Sequence, residues 1–367
     1  MEKLFKFILL GLLCLGLIQC KQKQNEVHQL IVGLPDIDPQ KDPGFALKIW
    51  QGDSAVLESY EGVEDLHNLK PIDANSLFNI GSISKTFVAF AILRLAAEHK
   101  IELSDSLEKY FPDFKNPSIG KKVRIFHLLT HSSGLPDIRK IKEDSIFYLT
   151  ADDAQNWTPI LQNDTLHFEP GNQFEYSNPA FNALALIIQQ VTGLKWQDYI
   201  KIKIFSPSKM TRSTITDGSH PDSGVTHAYV PIQQHQWKEL DYGEEPTFNA
   251  SGNGGVWSSV NELFQYEQAI RNKAFVDEKI LRLARTIYPL KEWKDSLPSQ
   301  LGLCWFITKY QGHEMYAHTG SQGGFTSDFV SIPETGLFYC LLTNTPVDIN
   351  KTRMNIMKYC QERAWVK

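Results

Sequence analysis

Ser82 and Lys85 stand three residues apart in the run GSISKT, a spacing that places two side chains on one face of a helix, across a single turn. A serine hydroxyl is a poor nucleophile until a base within hydrogen-bond reach takes its proton and donors hold the developing oxyanion. Lysine can be that base where its site lowers its pKa, and Phe87, Val88 and Phe90 predict apolar surroundings for it. Gly81 leaves the backbone open to close approach, and the amides and dipole of a helix start favour negative charge beside Ser82. On its own, Ser-x-x-Lys reads more readily as a helix cap followed by a solvated lysine. The chemical reading therefore depends on what else the chain supplies.

Two further clusters supply it. In PGNQFEYSNPAFNALAL a turn leads into a helix, and Tyr176 could share a proton with Lys85 while Asn178 donates to a bound acyl amide. In HTGSQGGFTSDFVSI, His318 and Gly320 open a strand-like run loosened by glycines. An edge strand beside a nucleophile can align a substrate backbone and supply an oxyanion amide, here assigned to Ser321 together with the amide of Ser82. Taken singly, each cluster is a commonplace turn.

Other polar residues fit chemistry less well. His127 and His131 in FHLLTH are four apart, the spacing of a zinc pair on one helical face, but Leu128 stands where the general base of an HExxH site would be. No third ligand is evident, so packing against the core is the reading and no metal or other cofactor is expected. Cys304, Cys340 and Cys360 are too widely spaced for a zinc pattern and odd in number, which argues for buried thiols, with a Cys304–Cys340 bridge between neighbouring strands left open. Trp257, Trp305 and Phe306 read first as core, one of them able to line a substrate site.

The positioning elements follow from periodicity. FALKIW and AVLESYEG flank a Gly52-Asp53 turn as a hairpin, and SKTFVAFAILRLAAEH is too long for a strand and suits a buried helix. The middle of the chain is rich in helix-like segments, and LGLCWFI, FTSDFVSI and GLFYCLLTN read as strands before a closing helix near residues 351–364. Strands at both ends with helices between predict one α+β sheet assembled from the two termini.

The three clusters, in this order, resemble the serine beta-lactamase and penicillin-binding protein superfamily, and most closely its class C-like branch of esterases, D-amino-acid peptidases and DD-peptidases. GSISKTF, FHLLTHSSGLPD, PGNQFEYSN, GNGGVWSSVNEL and HTGSQGGF are similar to that branch's signature segments. The resemblance implies a beta-lactamase-like fold, Ser82 as the acylated residue, Lys85 and Tyr176 as the proton-handling pair, and Asn178, His318, Gly320 and Ser321 as substrate and oxyanion contacts. Many members carry lysine where this chain has His318. Histidine, with an ordinary pKa of about 6.5, supplies little positive charge at pH 7, which directs the expectation to an ester or amide (peptide) bond. The alternative is a beta-lactamase, or a binding protein that keeps the fold without turnover.

The 367 residues carry a formal charge of -5, with 42% hydrophobic and 22% charged positions. Lacking a block of like charges, the chain offers no footprint for nucleic acid; a small-molecule or peptide-like substrate is expected instead. Lys3 and Lys6 precede an apolar stretch from Phe7 to Ile18, which resembles a signal peptide ending at a lipoprotein site on Cys20. Export and a membrane anchor through Cys20 are expected. The expected organisation is a signal peptide (1–20), a tether (21–42), a sheet domain (43–122 with 250–367) and a mainly helical domain (123–249).

Overall fold

A computed structural model describes residues 26–138, 151–215, 224–240, 251–292 and 300–366; Cys20 and the expected signal peptide lie outside them. Strands β1 (Phe45–Gln51) and β2 (Ser54–Glu61) come first, then the short β3 (Phe78–Asn79), a 3-10 turn (Gly81–Ile83) and helix α1 (Ser84–Ala97). Short helices α2 (Pro117–Lys122) and α3 (Ile125–Leu129) lead to α4 (Asp153–Leu161), α5 (Asn178–Thr192) and α6 (Trp196–Ile200). After β4 (Thr214–Ile215), β5 (Tyr229–Gln233), β6 (Gln236–Glu239) and β7 (Val256–Ser258) come α7 (Val260–Arg271) and α8 (Glu278–Arg285). The chain closes with β8 (Gln300–Leu301), β9 (Phe306–Tyr310), β10 (His313–Gln322), β11 (Phe325–Ile332), β12 (Leu337–Thr343) and α9 (Ile349–Glu362).

The main sheet runs β2-β1-β12-β11-β10-β9-β8 and is antiparallel throughout. Its middle joins the two ends of the chain: Phe45 opposes Thr343 and Gln51 opposes Leu337. GLFYCLLT reads as an unbroken apolar run because both faces of β12 are covered. Phe338, Cys340 and Leu342 face the core shared with α1, whereas Leu337, Tyr339 and Leu341 face the core under α9. Successive side chains of a strand alternate faces, so a strand buried on both sides needs apolar residues at every position. This is the expected α+β fold, with helices on both faces of an antiparallel sheet.

Helix α1 is buried around nearly its whole circumference, as its Ala- and Leu-rich composition predicts. Phe87 stacks on Tyr266 with ring centroids 4.1 Å apart, and Phe90 meets the same ring edge-on. The start differs from expectation. Ser82 sits in the 3-10 turn that precedes the helix rather than in its first turn, and Gly81 takes a positive φ of 51° to make that entry.

Two features hold β10 against this turn. A Cβ on Gly320 would lie 2.0 Å from the Ile80 carbonyl oxygen, and one on Gly81 would lie 2.7 Å from the Ser321 nitrogen. Ser327, the residue opposite Gly320 on β11, donates its hydroxyl to that same Ile80 oxygen at 2.8 Å. Cys304, Cys340 and Cys360 are all free and buried, which settles the open bridge in favour of thiols.

Candidate active site

Lys85 is wholly buried, and its Nζ lies 2.9 Å from Ser82 Oγ and 2.5 Å from the Asn253 carbonyl oxygen, to which it donates. The three-residue spacing thus delivers the expected pair even though a 3-10 turn, not an α-helical one, carries the serine. The apolar surroundings come from elsewhere than predicted. Nζ lies 5.1 Å from the centre of the Tyr176 ring and 5.8 Å from that of Phe181, while Phe87 and Phe90 turn away to Tyr266. A helix advances about 100° per residue, so Phe87 at i+2 falls on the opposite side from Lys85.

Tyr176 comes from the turn before α5. Ser177 caps that helix by accepting from the Ala180 amide at 3.3 Å, and Asn178 is its first residue. Here the cap reading of Ser-Asn and the site reading are both satisfied: the cap fixes the turn, and the turn presents Tyr176 and Asn178 to the cleft.

Ser82, Tyr176, Asn178, His318, Gly320 and Ser321, the expected contacts together with the expected nucleophile, all line one cleft of about 590 Å³. Strand β9 pairs with β10 only as far as Phe306 opposite Ala317, so among the described residues the stretch from His318 to Gln322 has no strand on that side. Such an edge can accept an extended substrate. Phe174 and Phe306 add an aromatic wall, with centroids 6.4 Å apart, and Pro346, Val347 and Ile349 add an aliphatic one. Phe306 is therefore the aromatic that lines the site, whereas Trp257 and Trp305 are core. Among the described residues lining the cleft none is acidic, and none is lysine or arginine.

His318 is 1% exposed. Its Nδ1 donates to the Thr319 carbonyl at 2.7 Å, which leaves the lone pair on Nε2. Burial, with Lys85 and Arg353 adding to it against the Thr319 hydrogen bond, pushes its pKa down to about 3. It is a neutral ring at any physiological pH. In the unfolded chain the same ring titrates near 6.5, so below that pH the unfolded state binds the proton that the folded state refuses. Stability must fall with pH across the window from about 6.5 to about 3. His318→Gln should remove this term, worth about 2 kcal/mol between pH 7 and pH 5. Urea unfolding of both proteins at the two pH values checks it, and equal pH dependence would sink the neutral assignment.

Sequence reasoning missed two neighbours. His131 was grouped with His127 on one helical face, but α3 ends at Leu129 and His131 lies beyond it with a φ of 51°. That turn carries its ring onto Tyr176, with centroids 4.3 Å apart and planes 24° from parallel. His131 Nδ1 accepts from the Ser177 amide at 3.0 Å, and burial together with Lys85 and His318 holds its pKa well below the ordinary value. It is a neutral plate behind the tyrosine. His127 instead accepts from the Arg124 amide at 3.1 Å. Among the described residues no three of His, Cys, Asp and Glu gather as metal ligands. The second missed neighbour is Asn253, whose contribution is a backbone carbonyl that no side-chain pattern reports.

Comparison with known proteins identifies the family. A model of the beta-lactamase family matches residues 35–358. The chain belongs to the beta-lactamase family. It is 29% identical over 251 residues to a penicillin-binding protein of Bacillus subtilis (strain 168), covering 64% of this chain and 53% of that protein. With protein flp of Staphylococcus aureus (strain MW2) the identity is 32% over 332 residues, 87% of this chain and 64% of the relative. The chain thus spans about half to less than two thirds of the length of these curated relatives. Among solved structures, the octameric penicillin-binding protein homologue from Pyrococcus abyssi aligns with a TM-score of 0.70 at 26% identity, over 83% of this chain and 70% of that one. A D-amino acid amidase from Ochrobactrum anthropi SV3 aligns with a TM-score of 0.75 over 93% of this chain and 99% of that one. At 20% identity, it speaks for the fold alone. The family places the chain in the serine beta-lactamase and penicillin-binding protein superfamily.

Proposed function

We propose that this chain is an exported serine hydrolase that cleaves an ester or amide bond through an acyl-enzyme on Ser82. The observation that carries the reading is the buried Lys85 amine 2.9 Å from Ser82 Oγ, at the cleft and beside Tyr176. Lys85 Nζ donates an N–H hydrogen bond to the Asn253 carbonyl, which leaves the lone pair of the neutral amine oriented to take the proton of the Ser82 hydroxyl. Oγ then bonds to the substrate carbonyl carbon while the amides of Ser82 and Ser321 hold the oxyanion. Lys85 and Tyr176 pass the proton to the departing alcohol or amine as its bond to carbon breaks. Water repeats the sequence with the same proton path, and Ser82 is released with the acid product.

Substrate class follows from charge. A carboxylate on the substrate would meet the neutral His318, and an ammonium would meet no acid among the described cleft residues. An uncharged ester or amide, or a peptide bond remote from its termini, fits such a wall best, with apolar groups against Phe174 and Phe306. The penicillin-binding relative supports a peptide-like amide within this range. The charged Lys3 and Lys6, the apolar stretch after them and Cys20 support export with a lipid anchor. Among the described residues no helix is long and apolar enough to cross a membrane.

A panel of p-nitrophenyl esters, D-amino-acid p-nitroanilides and nitrocefin, run on wild type with Ser82→Ala as the blank, tests the reading. Turnover of a neutral ester or amide should exceed that of nitrocefin by at least about tenfold in kcat/KM, the worth of one missing charge contact. Preference for nitrocefin would overturn the assignment in favour of a beta-lactamase. Uniform inactivity of a folded protein would favour a binding role.

A further inference from the structure

Asp153 sits in the first turn of α4 and is 6% exposed. Its Oδ1 accepts from Asn182 Nδ2 at 2.7 Å and from the Gly252 amide at 2.8 Å. The same Asn182 nitrogen donates to Ser251 Oγ at 2.5 Å, and Asn182 Oδ1 accepts from Asn253 Nδ2 at 3.3 Å. Ser251 Oγ in turn donates to Asn253 Oδ1 at 3.2 Å. Residues 251–253 are therefore each held by a side chain or amide that traces back to α4 and α5. Asn253 ends this chain of contacts, and its carbonyl is the acceptor for Lys85 Nζ.

We infer that Asp153 is a positioning residue for Lys85, acting through Asn182 and Gly252 to fix the Asn253 carbonyl and hence the direction in which the amine addresses Ser82. The inference rests on the acyl-enzyme reading and adds to it a residue that meets no substrate. Three facts favour positioning over mere adhesion. The segment is pressed into place: a Cβ on Gly252 would lie 2.6 Å from Ala185 Cβ and 2.7 Å from the Phe181 carbonyl oxygen, so it has no room to drift towards α5. The network is polar in a place where leucine and alanine would pack, and a buried polar network specifies one geometry where apolar packing tolerates several. Burial also pushes the Asp153 carboxyl up to about 7, against Asn182, Gly252 and Trp196, whose donors favour the charge. Its contribution near neutral pH is thus an acceptor oxygen as much as a charge, which asparagine can imitate.

The imitation is the test. Active-site labelling by a fluorophosphonate should slow about 10- to 30-fold in folded Asp153→Ala, with KM for p-nitrophenyl butyrate within about twofold of wild type and the loss in kcat. Asp153→Asn, which keeps an oxygen for both donors, should restore the rate to within about threefold of wild type. A merely structural role would lower the melting temperature and leave kcat per folded molecule unchanged, with no rescue by asparagine. Wild-type kcat in folded Asp153→Ala overturns the inference. Should the alanine variant not fold, Ser251→Ala removes the Ser251-mediated link between Asn182 and Asn253 and leaves only their direct 3.3 Å hydrogen bond, with Asp153 keeping its donors. A three- to fivefold fall in kcat at constant KM is then expected, and an unchanged kcat is fatal. Wild-type protein that labels no faster than Ser82→Ala refutes both the acyl-enzyme and the positioning role, whereas normal wild-type labelling with an unaffected Asp153 series refutes the positioning role alone.

Discussion

Lys85→Met should slow acylation of Ser82 by about a thousandfold or more, equivalent to about 4 kcal/mol of transition-state stabilisation, while leaving the thermal midpoint close to that of wild type. The two halves of this expectation have different origins. Chemistry is lost because the amine 2.9 Å from Ser82 Oγ is the group placed to take the proton of that hydroxyl. Stability is nearly kept because methionine fills the volume of a side chain that has no exposure at all and that already lies against the Tyr176 and Phe181 rings. An amine in such a place is costly to desolvate, and exchanging it for a thioether recovers that cost. Against this stands the Asn253 carbonyl, left without its donor at about 1–3 kcal/mol. A residue kept for stability would show the reverse, a collapsed midpoint with normal activity per folded molecule. Fluorophosphonate labelling followed over time, beside scanning calorimetry, measures both, and a labelling rate within tenfold of wild type would remove Lys85 from the mechanism. Ser82→Ala sets the floor for the same assay, with labelling erased.

What the sequence discloses about this site depends on how far apart its parts lie along the chain. Ser82 and Lys85 are readable because a separation of three is a local geometric fact, preserved even though the α-helix begins at Ser84 and a 3-10 turn carries Ser82. The sheet is readable for the same reason: β12 announces burial on both faces by carrying no polar residue until Thr343. Tyr176, Asn178 and His318 are at sequence distances where spacing means nothing, and only the order of the motifs brought them into consideration. Their convergence on one cleft is a fact of the fold. His131 packs against the core as expected, but a histidine four residues from another looks like a helical pair, and only the SSG after FHLLTH marks the helix end at Leu129. Asp153, and the role of Asn253 within the GNGGVWSSVNEL segment, were out of reach for a deeper reason. One acts through its backbone and the other through a partner, and neither leaves a pattern of residue types.

Gly320→Ala should cost about 3–5 kcal/mol and lower the melting temperature by about 5–10 °C, with activity lost beyond what unfolding explains. The glycine itself has no left-handed backbone to protect, so the cause is space alone. An added Cβ would lie 2.0 Å from the Ile80 carbonyl oxygen and 2.3 Å from Ser327 Oγ, and neither can yield independently, because Ser327 donates to that carbonyl. Ile80 is fixed in turn by its amide, which donates to the Val256 carbonyl at 3.0 Å, and by the core in which its side chain is wholly buried. The strand must therefore retreat from the turn that carries Ser82. That retreat moves Ser321 away from Gly81, whose own Cβ position lies 2.7 Å from the Ser321 nitrogen. Nucleophile and edge strand are set at backbone contact, and a single methyl group is enough to part them. If the oxyanion is held between the Ser82 and Ser321 amides, a displacement of about 1 Å should cost on the order of a hundredfold in kcat, with KM affected less. Kinetics on the folded fraction at 15 °C, well below the lowered midpoint, separate this loss from instability. A Gly320→Ala protein that is folded there with wild-type kcat would mean that the β10 edge takes no part in the reaction.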